Sequence, residues 1–301
     1  MERGRYYLGR VVKLGNLDQS RLMDAILDAP TITIRKFRWT ITDTVDRRDS
    51  KMPFVFGRLS KFHQEGHVTI VDTDSKSQID AIARNLLAAS SPFVYLPEYS
   101  GIAYLHVWNG IQQDVFPRRF KALIEAAYDD FFVDCTIEAI ADYQTFVSKL
   151  RSIEVFHDIQ ATVRPPNPLF GRLWGSLREY IERRNADEVR VREIAEEAPG
   201  IATNLVALMT GLLRNPDFEP ASVPDITDAA LLMAADGYGQ GKVTGMRRDR
   251  EEVLIRTSDT HRSFLDAKEP NPDALAEHAH RQLKSVSTER DMHHPQDEEP
   301  S

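Results

Sequence analysis

The sequence predicts an α+β protein. A mixed, mainly antiparallel sheet with packed helices comes first, then a helical segment with a terminal hairpin, then a disordered acidic tail. Three observations predict it. Stretches rich in β-branched and aromatic residues crowd the first 164 positions. Apolar residues at three- and four-residue steps set in from Leu169. From Asp266 onward nine acidic residues stand against four basic ones and four histidines, with little apolar periodicity. The expected regions are therefore 1–164, sheet-rich; 165–265, helical with a hairpin; and 266–301, polar tail.

The elements follow in order. Residues 6–14 read as a strand. Residues 17–29 read as a helix with Leu22, Met23, Ile26 and Leu27 on one side, ended by Pro30. Residues 31–42 read as a long strand whose alternation slips near Arg35, as a bulge would make it. Residues 53–60 and 68–72 read as two further strands joined by KFHQEGH, completing an antiparallel meander. Residues 77–89 read as a weakly amphipathic helix through Ile79, Ile82, Leu86 and Leu87. Residues 93–96 and 102–108 flank the turn PEYSG, and 117–128 form a helix. Residues 133–141, 143–150 and 153–163 form a β-α-β unit whose short crossover leaves the pairing of its two strands open.

The next stretch, ATVRPPNPLFGRLWGSLREYIERRN, is a strand end, a corner and a helix. Each proline biases the residue before it toward extended geometry. Asn167 fits an N-cap and Pro168 the first helical position. Leu169, Phe170, Leu173, Trp174, Leu177, Tyr180 and Ile181 make one face. Arg183 and Arg184 suit the negative helix end, and Asn185 an αL stop. Gly171 and Gly175 imply close packing against another backbone. Helices are expected over 188–198, 201–213 and 227–235. Val243 and Met246, then Val253 and Ile255, mark the hairpin. In the tail, Ala274 to Leu283 forms one exposed helix.

The chain of 301 residues is 42% hydrophobic, enough for one large domain or two ordinary ones. Its formal charge of −8 argues against a surface devoted wholly to nucleic acid. A lone cysteine, Cys135, excludes an intramolecular disulfide, and its strand parity makes it a buried, inert thiol. No apolar run approaches the ~18 residues of a membrane helix, and no signal peptide is apparent. The expectation is a soluble, cytoplasmic protein away from the membrane.

Four constellations bear on chemistry. His63 and His67 in HQEGH have metal-ligand spacing only on a helix, and Gly66 among strands makes them a polar turn. Asp134, Glu138 and Asp158 would share a surface if residues 133–141 and 153–163 paired, as the carboxylates of a metal-dependent nuclease do; an alternating strand needs such a polar face anyway. His157 falls among apolar neighbours and reads as a hydrogen-bonded core histidine. Gly237, Gly239 and Gly241 suggest a phosphate cradle, but a strand follows them where nucleotide-binding loops place a helix. The fourth is charge. Arg35, Lys36, Arg38, Arg47, Arg48, Lys51, Arg58 and Lys61 oppose three aspartates, giving about +5 inside an acidic chain. Phe37 and Trp39 are interleaved with them.

The NPLF junction (Asn167, Pro168, Leu169, Phe170), the preceding β-α-β unit and the later ADGYG turn (Ala235, Asp236, Gly237, Tyr238, Gly239) with its hairpin resemble an uncharacterised bacterial family, a domain of unknown function. The resemblance would cover residues 5–260. It implies a setting among mobile elements and phage defence, and no catalytic residues. The expected function is a non-catalytic binding or effector protein acting through protein or nucleic-acid contacts. Its partner would be nucleic acid or an acidic protein, met by the eight basic residues; a homo-oligomer is allowed. The alternatives are the nuclease and a nucleotide-binding protein. No cofactor and no metal is expected.

Overall fold

The computed structural model describes residues 2–129, 131–165, 168–215 and 217–293. The chain runs β1 (Arg3–Gly15), α1 (Gln19–Leu27), β2 (Ile32–Ile34), β3 (Phe37–Asp46), β4 (Val55–Asp72), β5 (Ser77–Leu96), β6 (Gly101–Leu105), α2 (Val115–Ala126) and β7 (Val133–Ala139). It continues through α3 (Tyr143–Leu150), β8 (Val155–Val163), β9 (Phe170–Gly171), α4 (Gly175–Arg184), β10 (Val189–Ile194), α5 (Leu205–Arg214) and α6 (Ile226–Met233). It ends with β11 (Gly239–Met246), β12 (Glu252–Arg256), β13 (Ser263–Ala267), α7 (Pro272–Glu289) and β14 (Met292–His293). The expected α+β class is what is found, with antiparallel pairing in every ladder described.

The large sheet has the order β13-β1-β6-β5-β4-β3-β2, with β7 also on β1. One edge of β1 holds β13 over Arg3–Tyr7 and β7 over Gly9–Gly15; β6 holds the other. One face of this sheet packs α1 and α2 through Leu22, Ile26, Phe116, Phe120 and Ile124 against Trp39, Leu59 and Phe93. The opposite face belongs to a larger core shared with α3, α6, α7 and the second sheet, β10-β8-β11-β12. That core draws residues from Tyr6 to Met292.

At its centre lies a buried polar knot built on the ADGYG turn. The Asp236 carboxylate, 2% exposed, accepts from Tyr143 Oη at 2.7 Å, Trp174 Nε1 at 2.7 Å and Arg290 NH1 at 2.9 Å. Arg290 also donates to the Ala235 and Ala141 carbonyls, and its guanidinium lies 4.0 Å from the Tyr143 ring centre. Arg10, fully buried, donates to the carbonyls of Asp236 and Tyr99, each at 2.7 Å. Buried charge is tolerated only when paired or bonded this fully. The glycines serve this geometry. Gly237 has φ +90°, a conformation side chains resist. A Cβ on Gly239 would stand 2.0 Å from the Thr162 carbonyl oxygen.

Several expectations need correction. KFHQEGH is no turn: it lies within β4, and the turn falls at 73–76. Residues 77–89, expected as a helix, form the first part of β5 and pair with β4, as Ile70 with Ile79. Residues 188–198 hold the strand β10, whose Val189 and Val191 alternate with Arg190 and Arg192. The helix after the corner starts at Gly175, because Phe170–Gly171 pair with β14 and Arg172–Trp174 form a 3₁₀ turn. The expected cap Asn167 lies outside the described residues; Asn185 is the αL stop, with φ 48°. Gly171 meets the Trp174 ring, whereas nothing lies within 4 Å of a Cβ at Gly175. Within the expected tail, β13 and α7 are ordered, and Leu275, Ala279, Leu283 and Val286 are buried. The helix expected there as exposed is thus packed on the core. No described helix is long and apolar enough to cross a membrane.

Candidate functional site

The three candidate carboxylates are not brought together. Asp134 and Glu138 lie on β7 in the large sheet, Asp158 on β8 in the second. Each has its own cation. Asp134 pairs with Lys121, Glu138 with Arg164 at 3.2 Å, and Asp158 with Arg192 at 2.8 Å. No group of three or more His, Cys, Asp or Glu able to hold a metal occurs among the described residues. His157 is half-buried, with Nδ1 3.0 Å from the Ala195 carbonyl oxygen. Cys135 is fully buried, and burial raises its thiol pKa. At the Gly237–Gly241 turn, Cβ positions at Gly237, Gly239 and Gly241 would meet Arg10, Thr162 and Leu231.

The eight basic residues divide into groups that their spacing in the sequence conceals. Arg47, Arg48 and Lys51 follow the far end of β3. Arg48 bonds Asp24 and Asp46, and Arg47 faces Asp273 at 3.5 Å. Arg58 and Arg38 sit on the α7 side of the sheet. Arg58 pairs with Asp43 at 3.3 Å and Glu269 at 2.7 Å, while Arg38 lies over the Phe62 ring. Lys61 projects from the other face, 3.9 Å from the Phe37 ring centre, and Phe37 also touches His63. Arg35 and Lys36 turn the β2–β3 corner beside it. Arg35, Lys36, Arg38 and Lys61 have no ion pair among the described residues. Arg119 on α2 joins them over Trp39; burial lowers its pKa, and the charges of Arg118 and Arg35 lower it further.

This cationic cluster stands at the root of an arm. Beyond Phe62, which still pairs with Arg38 of β3, the sheet narrows to β4 and β5 alone, paired as far as Asp72–Ser77. None of residues 66–83 is buried. The pairs Val68–Ala81 and Ile70–Ile79 share one side with Gly66–Ala83. Leu86 lies across bare Gly66, where a Cβ would meet it at 2.5 Å. The other side carries Glu65–Arg84, His67–Ile82 and Thr69–Asp80, with Thr69 Oγ1 donating to Asp80. Ile70 is 50% exposed, Val71 68%, Ile82 65% and Leu87 58%. At the tip, Asp72 accepts from Asp74 N, Ser75 N and Ser75 Oγ. The Ser75 hydroxyl bond, then the two amide bonds, hold the Asp72 carboxyl below the usual range. With Asp72 and Asp74 against Lys76, the tip is acidic.

No family model matches this chain, and no curated protein sequence matches it.

Two concavities hold titratable side chains shifted by burial. One, of about 470 Å³, is lined by Lys13, Asp18, Gln19, Pro165 and Tyr238. Lys13 Nζ donates to Gln19 Oε1 at 3.1 Å and Ser100 Oγ at 2.7 Å, and burial pushes its pKa down to about 8. The other, of about 600 Å³, is a polar hollow with Arg5, Tyr7, Asp142 and His261. There His261 Nε2 donates to the Leu8 carbonyl, and burial pushes its imidazole down to about 4. Neither Lys13 nor the arm stands out in the sequence. Lys13 carries no motif. The arm's one sequence sign is the apolar set Ile79, Ala81, Ile82 and Ala83, which also fits a helix.

Proposed function

We propose that this chain is a non-catalytic binding protein that works through protein contacts made by the β4–β5 arm and its cationic root. The observation that carries the reading is a two-stranded ribbon with exposed apolar side chains and, among the described residues, no core packed over it. An isolated two-stranded hairpin is marginal in water, and exposed edges and apolar faces are ordinarily covered or blunted by charge. An arm kept in this form is therefore a surface shaped for a partner. The acidic tip disfavours a polyanion lying along it. Supporting a non-catalytic role, each candidate carboxylate is neutralised by its own cation and the glycine turn is filled.

The test places a photo-crosslinking amino acid at Ile70 or Ile79, and as a control at Thr69 on the polar side. Cells challenged with phage, the setting the family resemblance implies, are irradiated. Protein adducts should form at Ile70 and Ile79 and be scarce at Thr69. Absence of protein adducts at both apolar positions would sink the reading.

A second reading has its own observation. Arg35, Lys36, Lys61 and Arg119 gather beside Phe37 without carboxylates, the pattern that grips a single-stranded nucleic acid. Fluorescent single strands should bind in a salt-sensitive way and lose affinity in Arg35→Glu/Lys61→Glu. Binding unchanged by that variant would remove the cluster from consideration.

A further inference from the structure

We infer that the arm's partner is a second copy of this chain, gripped by reciprocal stacking of two arms. This rests on the reading of the arm as a protein-contact surface and names the protein. The apolar side of the ribbon is a strip, and strips of this kind fit each other: the faces of two packed sheets lie about 10 Å apart with side chains interdigitated. Ile70 and Ile79 of one copy would meet Val68, Ala81 and Leu86 of the other.

Charge fixes the direction. The tip turn carries Asp72 and Asp74 against one cation, Lys76. The root turn carries Arg35 and Lys36 without an ion pair among the described residues, between Arg38 on one face and Lys61 on the other. Two arms laid parallel would set tip on tip and root on root, like against like. Laid antiparallel, each acidic tip reaches the other's cationic root, and equal arm lengths guarantee the match at both ends. That is an isologous twofold contact, the commonest closed symmetry of soluble oligomers.

The area agrees with this arrangement. Glu65 to Asp72 spans about 26 Å of strand, so one face of the ribbon offers only a few hundred Å². A stable complex buries about 800 Å² per partner. The arm face alone falls short, and the two tip-on-root contacts supply the remainder. Association should therefore weaken with salt as well as with loss of the apolar strip.

The test is the mass of the full chain in solution, measured by light scattering or sedimentation at low and high salt, with circular dichroism confirming that each variant folds. Wild type should be a dimer that loosens as salt rises. Ile70→Asp/Ile79→Asp should be a monomer. A tip-reversed variant, Asp74→Lys, leaves Asp72 to hold the turn; a root-reversed variant is Arg35→Glu/Lys36→Glu. Each alone should dissociate, since tip and root then carry like charge. Mixed in equal amounts they should re-form a dimer of one copy each, because both of its tip-on-root contacts are again opposite in sign. A monomeric wild type, or a mixture no more associated than its components, overturns the inference. Crosslinks from Ile70 that land only on a different protein also overturn it, and leave the arm standing as a protein-contact surface.

Discussion

Removing the Asp236 carboxylate strands a guanidinium. Tyr143 and Trp174 each lose an acceptor, but the larger cost is Arg290, fully desolvated with its only carboxylate gone. Asp236→Ala should cost about 3–5 kcal/mol in denaturant unfolding, the range for breaking a buried ion pair. Trp174→Phe, which deletes one N–H donor and keeps most of the ring, should cost about 1–3 kcal/mol. A smaller loss for Asp236→Ala than for Trp174→Phe would mean the knot is not organised by charge. Lys13 makes a second prediction at this scale. Its amine is neutral in about half the molecules at pH 8, whereas an ordinary lysine is neutral in fewer than about 1%. Its lowered pKa means that reactivity climbs as pH rises from 7 through 8, ahead of the other lysines. Brief acylation followed by peptide mass spectrometry should find Lys13 modified before exposed Lys51. Equal rates at pH 8 would contradict it.

The arm and α7 contrast at the scale of elements. Excising residues 66–83 and closing the ribbon with a short Asn-Gly turn removes no buried side chain. Measured at concentrations too low for a dimer to form, the unfolding free energy should stay within about 1 kcal/mol of the parent, as for changes away from a core. A collapse in stability would mean the arm folds back on the body. These two elements also explain what was legible. The helix α1 was readable because Leu22 and Ile26 obey a core on one side, and β1 likewise; residues 31–42, expected as one bulged strand, instead turn at Arg35 and Lys36 into the hairpin β2–β3. Ser77–Ala89 was misread because a ribbon without a core beneath it is under no pressure to alternate cleanly. Ile79, Ile82, Leu86 and Leu87 then mimic a helical period. Residues 188–198 were misread for a different reason: Glu, Arg and Ala favour helix locally, and pairing with β8 overrides that.

Across the whole molecule, the ends of the chain complete the middle. Strand β13 closes the edge of β1, and α7 buries Leu275, Ala279, Leu283 and Val286. Ending the chain after Ala267 removes all four, together with Arg290. Such a truncation should be expressed insoluble or without a cooperative transition by calorimetry; a sharp transition near the parent's would show α7 to be dispensable. The composition of the tail concealed this. On α7 Asp273 and Glu277 are exposed, and the buried face sets the small Ala276, Ala279 and Ser287 among Leu275, Leu283 and Val286. The candidate site was only partly legible. Basic residues can be counted, but which face each takes depends on strand register. That Arg10 and Arg290 meet one turn could not be read from positions 280 residues apart.

The knot around Asp236 sets a schedule for the newborn chain. At about 5–20 residues per second, a ribosome needs roughly 15 to 60 s to reach Arg290. Until then Asp236, Tyr143 and Trp174 wait without their cation, and the first strand made lacks the β13 neighbour that will close its edge. The knot cannot close before Arg290 is made, and until then a cell must shelter the polypeptide that precedes it.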